Sequence, residues 1–383
     1  MTVSTQALYN LSPLAGLLLI VALLALVPLL WIGRRHRSAA RRVHALRLLT
    51  LFLTFDLVLF GAFTRLSDSG LGCPDWPGCY GHTSPISAQP SIAAAQSLLP
   101  MGPVTHAKAW IEMLHRYLAA TVGALILALT AMSWRDWWQR RAGNMPWLAT
   151  ATLLWVCLQG AFGALTVTMK LMPAIVSLHL LGALGLLVLL CVQVVQDSDD
   201  GLAHPMRPGL RRWLRSCLAL LVLQSALGAW VSANYAVLAC SDFPTCQGSW
   251  WPEMDFQQGF SLWRGLGVTA TGEPIDFAAL TAIHYVHRLM AYLVLVFLMV
   301  LAWQLNRSST WRLQSRVLAA LIGLQLASGL GNVVLGWPLL SALLHSGGAA
   351  ALVLTLTWTD ARVSGTAFAG QYLSMRRSMG RWS

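Results

Sequence analysis

Long apolar runs alternate along the chain with short polar segments, and the runs have the length a bilayer core demands, about 20 helical residues each. Nine can be drawn, near residues 13–33, 46–64, 110–131, 147–168, 173–195, 213–233, 277–305, 316–337 and 339–359. The pattern predicts nine membrane-spanning helices. The first run has no charged segment ahead of it, is longer than the core of a signal peptide, and is followed by an Arg cluster, so a retained anchor is expected rather than a cleaved leader. It reads as an addition to an eight-helix core.

Composition supports the same class. Of 383 residues, 56% are hydrophobic and 10% charged, with a mean hydropathy of +0.61, which excludes both a soluble enzyme and a disordered chain. The net charge of +12 raises the question of a nucleic-acid partner. The placement of the charges answers it. Arg34, Arg35, Arg37, Arg41, Arg42 and Arg47 follow the first run, and Arg135, Arg140 and Arg141 the third. Arg207, Arg211, Arg212 and Arg215 precede the sixth, Arg307, Arg312 and Arg316 the eighth, and Arg362, Arg376, Arg377 and Arg381 lie in the tail. All fall in alternate connections, so the positive-inside rule predicts an outer N-terminus, an inner C-terminus and no need for nucleic acid.

The eight-helix core contains an internal repeat. Residues 61–79 read GAFTRLSDSGLGCPDWPGC and residues 228–246 read GAWVSANYAVLACSDFPTC, both ending in C-x-D-aromatic-P-x-C. Downstream, Leu114-His115-Arg116 matches Val286-His287-Arg288, Leu158-Gln159 matches Leu324-Gln325, Pro173 matches Pro338, and His179 matches His345. Four helices thus repeat four helices, and because four is even both halves enter the membrane from the same side. The expected fold is an all-α integral membrane protein: two parallel-repeated four-helix bundles plus one extra N-terminal transmembrane helix. The expected divisions are 1–45 (extra helix and basic linker), 46–200 (first half), 201–360 (second half) and 361–383 (basic tail).

Of 10 histidines, His36, His44 and His204 fall in basic segments and His82 and His106 in an outer loop, where solvation explains them. His115, His179, His284, His287 and His345 fall inside spans, where ionisable groups are costly and point to function. His115 and His179 lie five or six residues from the outer helix ends, roughly 8–9 Å at helical rise. Each half can present one His from its second helix and one from its fourth. Facing imidazoles inside a four-helix bundle are what a six-coordinate heme iron needs; separate contacts to neighbouring helices are the plainer alternative. Arg116 and Arg288 follow the second-helix histidines, with heme propionates or lipid headgroups as partners, or Glu112 for Arg116. Glu112 stands one turn before His115, where the other half has His284. It suits the first turn of a helix, and equally a carboxylate aimed at whatever His115 and His179 hold.

Cys157, Cys191 and Cys217 fall in spans and suit packing. The pairs Cys73/Cys79 and Cys240/Cys246 close short outer loops, which predicts two local disulfides, for loop stapling or thiol exchange. Gly160, Ala161, Gly163 and Ala164, like Gly182, Ala183 and Gly185, permit close helix approach or make room for a flat macrocycle.

Thr64-Arg65-Leu66, Ser69-Gly70-Leu71, the loop from Cys73 to Cys79, Glu112-Met113-Leu114-His115-Arg116, His179, His287-Arg288 and His345 together resemble the heme A synthase family over residues 46–360. The resemblance implies an oxidoreductase of the bacterial inner membrane that converts heme O to heme A for cytochrome oxidase, oxidising the C8 methyl through hydroxylated intermediates to a formyl group. It implies heme b on His287 and His345 as cofactor, heme O near His115 and His179 as substrate, and Glu112 as the catalytic carboxylate. Heme O synthase, cytochrome oxidase assembly factors, membrane lipid and further copies of the chain are the partners it suggests. His284 is a second ligand candidate, although the alignment favours His287. The competing reading is a bis-His b-type cytochrome passing electrons from quinol to an outer acceptor. A quinone-linked disulfide generator is a third.

Overall fold

The computed structural model describes residues 12–36, 38–140, 145–196 and 205–379. Arg37, Arg141, His204 and Arg381 lie outside the described residues. Eleven α-helices are present among these residues: α1 (Ser12–Arg35), α2 (Ala39–Leu66), α3 (Gln89–Leu98), α4 (His106–Arg140), α5 (Trp147–Thr168), α6 (Pro173–Gln196), α7 (Pro208–Ala233), α8 (Phe256–Gly259), α9 (Phe277–Asn306), α10 (Arg312–Val334) and α11 (Leu339–Met379). Among the described residues nine segments are long and apolar enough to cross a membrane, and no strand forms beyond isolated bridges. The protein is a multi-pass helical membrane protein. Helix is the form such a chain must take, because lipid offers no partner for a free backbone N–H or C=O.

Several helices outrun their apolar cores. α2 begins at Ala39 rather than near 46, and α4 runs from His106 to Arg140, because backbone hydrogen bonding continues into water where hydropathy falls. α10 instead stops at Val334, short of the expected 337. Gly336 and Trp337 take left-handed φ values of 67° and 65° there, and Trp337 N–H bonds the Asn332 carbonyl at 3.0 Å, a Schellman closure that ends the helix. α5 ends the same way: Lys170 and Leu171 have φ of 51° and 58°, and Leu171 N–H bonds Thr166 O at 2.8 Å. Pro173 then opens α6 and Pro338 stands just before α11, where the absence of an N–H costs nothing. These tight turns lay α5 against α6 and α10 against α11.

Each end helix of one half packs on the other half: α6 on α7 and α11, and α11 on α2. The contact is close, since a Cβ on Gly347 of α11 would come within 2.6 Å of the Leu59 side chain of α2. At the C-terminal ends of α2 and α7 polar groups join the two sets of helices. Arg65 donates to Ser232 O at 2.5 Å and lies 3.7 Å from the centre of the Tyr235 ring. The Tyr235 hydroxyl donates to Asp68 at 2.9 Å, and Asp68 pairs with Lys108 at 3.1 Å. α1 seats Leu17, Val21, Ala25 and Ile32 against the bundle and turns Leu18, Leu19, Leu23, Val27 and Trp31 outward. Cys191 and Cys217 are buried, as packing requires, whereas Cys157 is exposed.

Candidate heme sites

Helix-to-helix spacing decides where the intramembrane histidines sit. His115 on α4 lies against Gly61 of α2, so close that a Cβ there would stand 3.0 Å from its Cε1. His287 on α9 meets Gly228 of α7 in the same way, also at 3.0 Å. His345 on α11 meets Gly329 of α10 at 3.2 Å, and His179 on α6 meets Gly163 of α5 at 3.5 Å. The His115, His287 and His345 rings therefore occupy notches left by a missing side chain, while His179 lies at ordinary contact distance from a Cβ on Gly163. All four residues are only half-buried, although the Nδ1 atoms of His115 and His179 are wholly covered and have no hydrogen-bond partner.

His287 and His345 come from separate helices, with ring centres 6.5 Å apart and planes at 77°. An imidazole nitrogen sits about 2 Å from a metal it ligates, so two imidazoles on opposite sides of one iron have ring centres about 6 Å apart. The pair fits a heme iron. In the other half His115 stacks on Phe60 at 6.2 Å and 14°. His284, the alternative ligand in sequence, is buried and its Nδ1 lies 3.0 Å from the Ala236 carbonyl. That bond turns it to the outer loop, so His287 faces His345.

Glu112 is 4% exposed. Its carboxylate accepts from the Cys73 backbone N–H at 2.8 Å and from the Arg116 guanidinium. The loop reaches it because Gly72 carries no side chain: a Cβ there would overlap the Lys108 backbone at 2.4 Å. Arg116 also donates to the carbonyls of Gly78 at 2.6 Å and Asp75 at 2.9 Å. Arg288 does the same in the other half, to Thr245 O at 2.7 Å and Asp242 O at 3.1 Å. Both arginines thus brace a disulfide loop.

Both loops are closed, Cys73 to Cys79 and Cys240 to Cys246, and all four cysteines are 0% exposed. Inside each, an aspartate takes the backbone N–H groups of a following turn. Asp75 accepts from Tyr80 at 2.6 Å and Gly81 at 2.7 Å, Asp242 from Gln247 at 2.6 Å and Gly248 at 3.0 Å. The Thr245 hydroxyl and then the Gly248 and Gln247 N–H groups hold the Asp242 carboxyl down at about 2.

The glycine notches, the Cys73 to Glu112 bond and the polar partners of His287 and His345 were not foreseen from sequence. A signal was there: Gly61 and Gly228, like Gly163 and Gly329, occupy matching places in the repeat.

Fold and site define a multi-pass helical membrane protein carrying paired histidines suited to heme. Residues 44–357 match the family model COX15-CtaA, described as cytochrome oxidase assembly protein, and the chain belongs to that family. It is 38% identical over 310 residues to the heme A synthase of Shewanella oneidensis, covering 80% of this chain and 92% of that one. It is also 29% identical over 328 residues to the heme A synthase of Caulobacter vibrioides, 80% and 91% covered. With that of Halalkalibacterium halodurans the figures are 26% over 313 residues, 79% and 89% covered. The resemblance read from the Cys loop and the Glu112 to Arg116 segment is borne out. α1 precedes the matched residues.

Proposed function

We propose that the chain is an oxidoreductase that converts heme O to heme A, oxidising the C8 methyl of the porphyrin to a formyl group, and that its halves divide the work. The first half, 46–200, receives heme O between His115 and His179. The second, 201–360, holds heme b on His287 and His345, which when bound supplies one-electron transfer. The observation that carries this reading, beside family membership, is an acid at only one of two matching places: Glu112 sits a turn from His115, whereas His284 at the matching place is spent on a backbone carbonyl. A quinol-linked cytochrome has no use for that difference.

Glu112 is the group placed to take a proton from the substrate or to stabilise cationic character developing beside it. Arg116 and the Cys73 N–H fix its orientation from behind, as preorganised charge stabilisation requires. Arg116 and Arg288 each carry five N–H donors, and those left by the loop carbonyls serve as propionate partners. Burial of all four outer cysteines supports stapling over thiol exchange.

The halves are a parallel duplication. Left-handed residues recur at the repeat offset, Asp68 with Tyr235, Tyr80 with Gln247, Lys170 with Gly336 and Leu171 with Trp337, and Arg65 touches Ser232, its own counterpart. The protein lies in the bacterial inner membrane with its N-terminus periplasmic and C-terminus cytoplasmic. Heme O synthase and cytochrome oxidase assembly factors are its protein partners.

The test is heme extraction and mass analysis after co-expression with a source of heme O. Heme A is expected with the wild-type chain; its absence despite bound heme O would sink the proposal.

A further inference from the structure

The four histidines each face a glycine, but their polar neighbours divide by half. Ser328 Oγ donates its proton to Leu324 O at 2.6 Å, so a lone pair is what it turns to His345 Nδ1, 3.1 Å away. His345 therefore carries its proton on Nδ1 and leaves Nε2 as the lone-pair nitrogen. The Gln224 amide lies 3.1 Å from His287 Nδ1. The same amide nitrogen lies 3.4 Å from His287 Nε2 and donates to the His287 backbone carbonyl at 3.2 Å, so Gln224 holds the ring and the backbone of His287 together. Both rings of the second half are tied by a neutral polar side chain on the adjacent helix.

The first half has no such ties. Gln224 stands four residues before Gly228; four residues before Gly61 is Leu57. Ser328 immediately precedes Gly329; immediately before Gly163 is Phe162. The places that hold an amide and a hydroxyl in one half hold apolar side chains in the other, and the Nδ1 atoms of His115 and His179 are buried and unbonded.

The difference has a chemical consequence. A hydrogen bond at the far nitrogen fixes the tautomer and orientation of a metal-binding imidazole and makes it a stronger donor, and its loss typically costs 10- to 100-fold in metal affinity. A site that keeps its heme gains from that bond. A site that must release its product after each turnover does not.

We propose that Gln224 and Ser328 are positioning residues that make the second half retain its heme, and that Leu57 and Phe162 at the matching places leave the first half able to release its own. This rests on His287 and His345 as ligands of a resident heme. The test uses the purified full-length holoprotein, following heme loss to excess apomyoglobin and the reduction potential of the low-spin heme. Gln224→Leu and Ser328→Ala should lose heme roughly 10- to 100-fold faster than wild type. The potential of Ser328→Ala should also rise, because an imidazole that has lost its acceptor is less basic and stabilises ferric iron less. Ser328→Thr, which keeps the acceptor, should stay near wild type in loss rate and potential, a rescue that a merely structural role would not produce. Leu57→Gln should slow release from the first half, so that heme A co-purifies with the protein. Wild-type heme loss in both Gln224→Leu and Ser328→Ala, or a wild-type potential in Ser328→Ala, would overturn the proposal. If His287→Ala itself keeps an unchanged low-spin heme, the ligand assignment is what fails.

Discussion

The backbone N–H of Cys73 donates to Glu112 across 2.8 Å, tying a disulfide-closed loop to the acid one helical turn from His115. The loop and the acid are therefore one unit, and substitutions in either should be felt in the other.

Replacing Glu112 by Gln keeps the shape and removes the anion. Heme bound by His287 and His345 should persist with an unchanged low-spin spectrum, while heme A formation falls by about 10²- to 10⁴-fold, the range for a lost acid–base group. Heme extraction with mass analysis reads both. Undiminished heme A would remove Glu112 from the chemistry.

The Cys73–Cys79 bridge closes a short loop, and opening it in a Cys73→Ser/Cys79→Ser variant should cost about 2 kcal/mol by loop entropy. If the bridge is a staple, the variant should unfold at lower temperature and make heme A slowly because the N–H at residue 73 drifts from Glu112. Complete loss of heme A at unchanged thermal stability would instead point to thiol chemistry.

The glycine notches predict a graded series. Gly228→Ala brings a methyl to 3.0 Å from the His287 ring, closer than ordinary contact, and should strip heme from the second half. Gly61→Ala, at the same distance from His115, should leave that heme in place and depress heme A formation. Gly163→Ala, 3.5 Å from His179, is in ordinary contact and should be mild. Heme content per protein and heme A yield check the order; a harmless Gly228→Ala would contradict it.

Asp242 sets a pH dependence for the second outer loop. Its carboxyl is held at about 2, below the ordinary aspartate value of 3.8, so folding favours its charged form. The stabilisation is present above pH about 4 and disappears as the pH falls through about 2. Thermal unfolding of wild type and Asp242→Asn should differ at pH 5 and converge toward pH 2. A constant gap over that range would show that the charge is not what matters.

The sequence legibly carried the spans, the disulfide loops and the family. Apolar length and the positions of His, Cys and Gly are local properties, and recurrence of a segment doubles the signal by showing the same residue twice. Helix ends were less legible. α2 and α4 continue past their apolar cores, since a helix ends where its hydrogen bonding or φ changes, as at Trp337, and not where hydropathy falls. Arg116 and Arg288 show the same limit: an arginine beside a histidine suggested an anion, and the folded loops bring it backbone carbonyls.

By itself, then, the sequence determined that this is a multi-pass membrane protein with recurring Cys-loop and His-Arg segments, histidines within its apolar runs and an acid, Glu112, where the recurrence has His284. Only tertiary structure decided what each of those groups touches. Glu112 meets a backbone N–H from 39 residues away, His284 is spent on a carbonyl, and Gln224 and Ser328 single out the histidines of one half. Such contacts depend on helix rotation and on the 3 Å approaches that missing side chains allow, quantities no periodicity in the chain encodes.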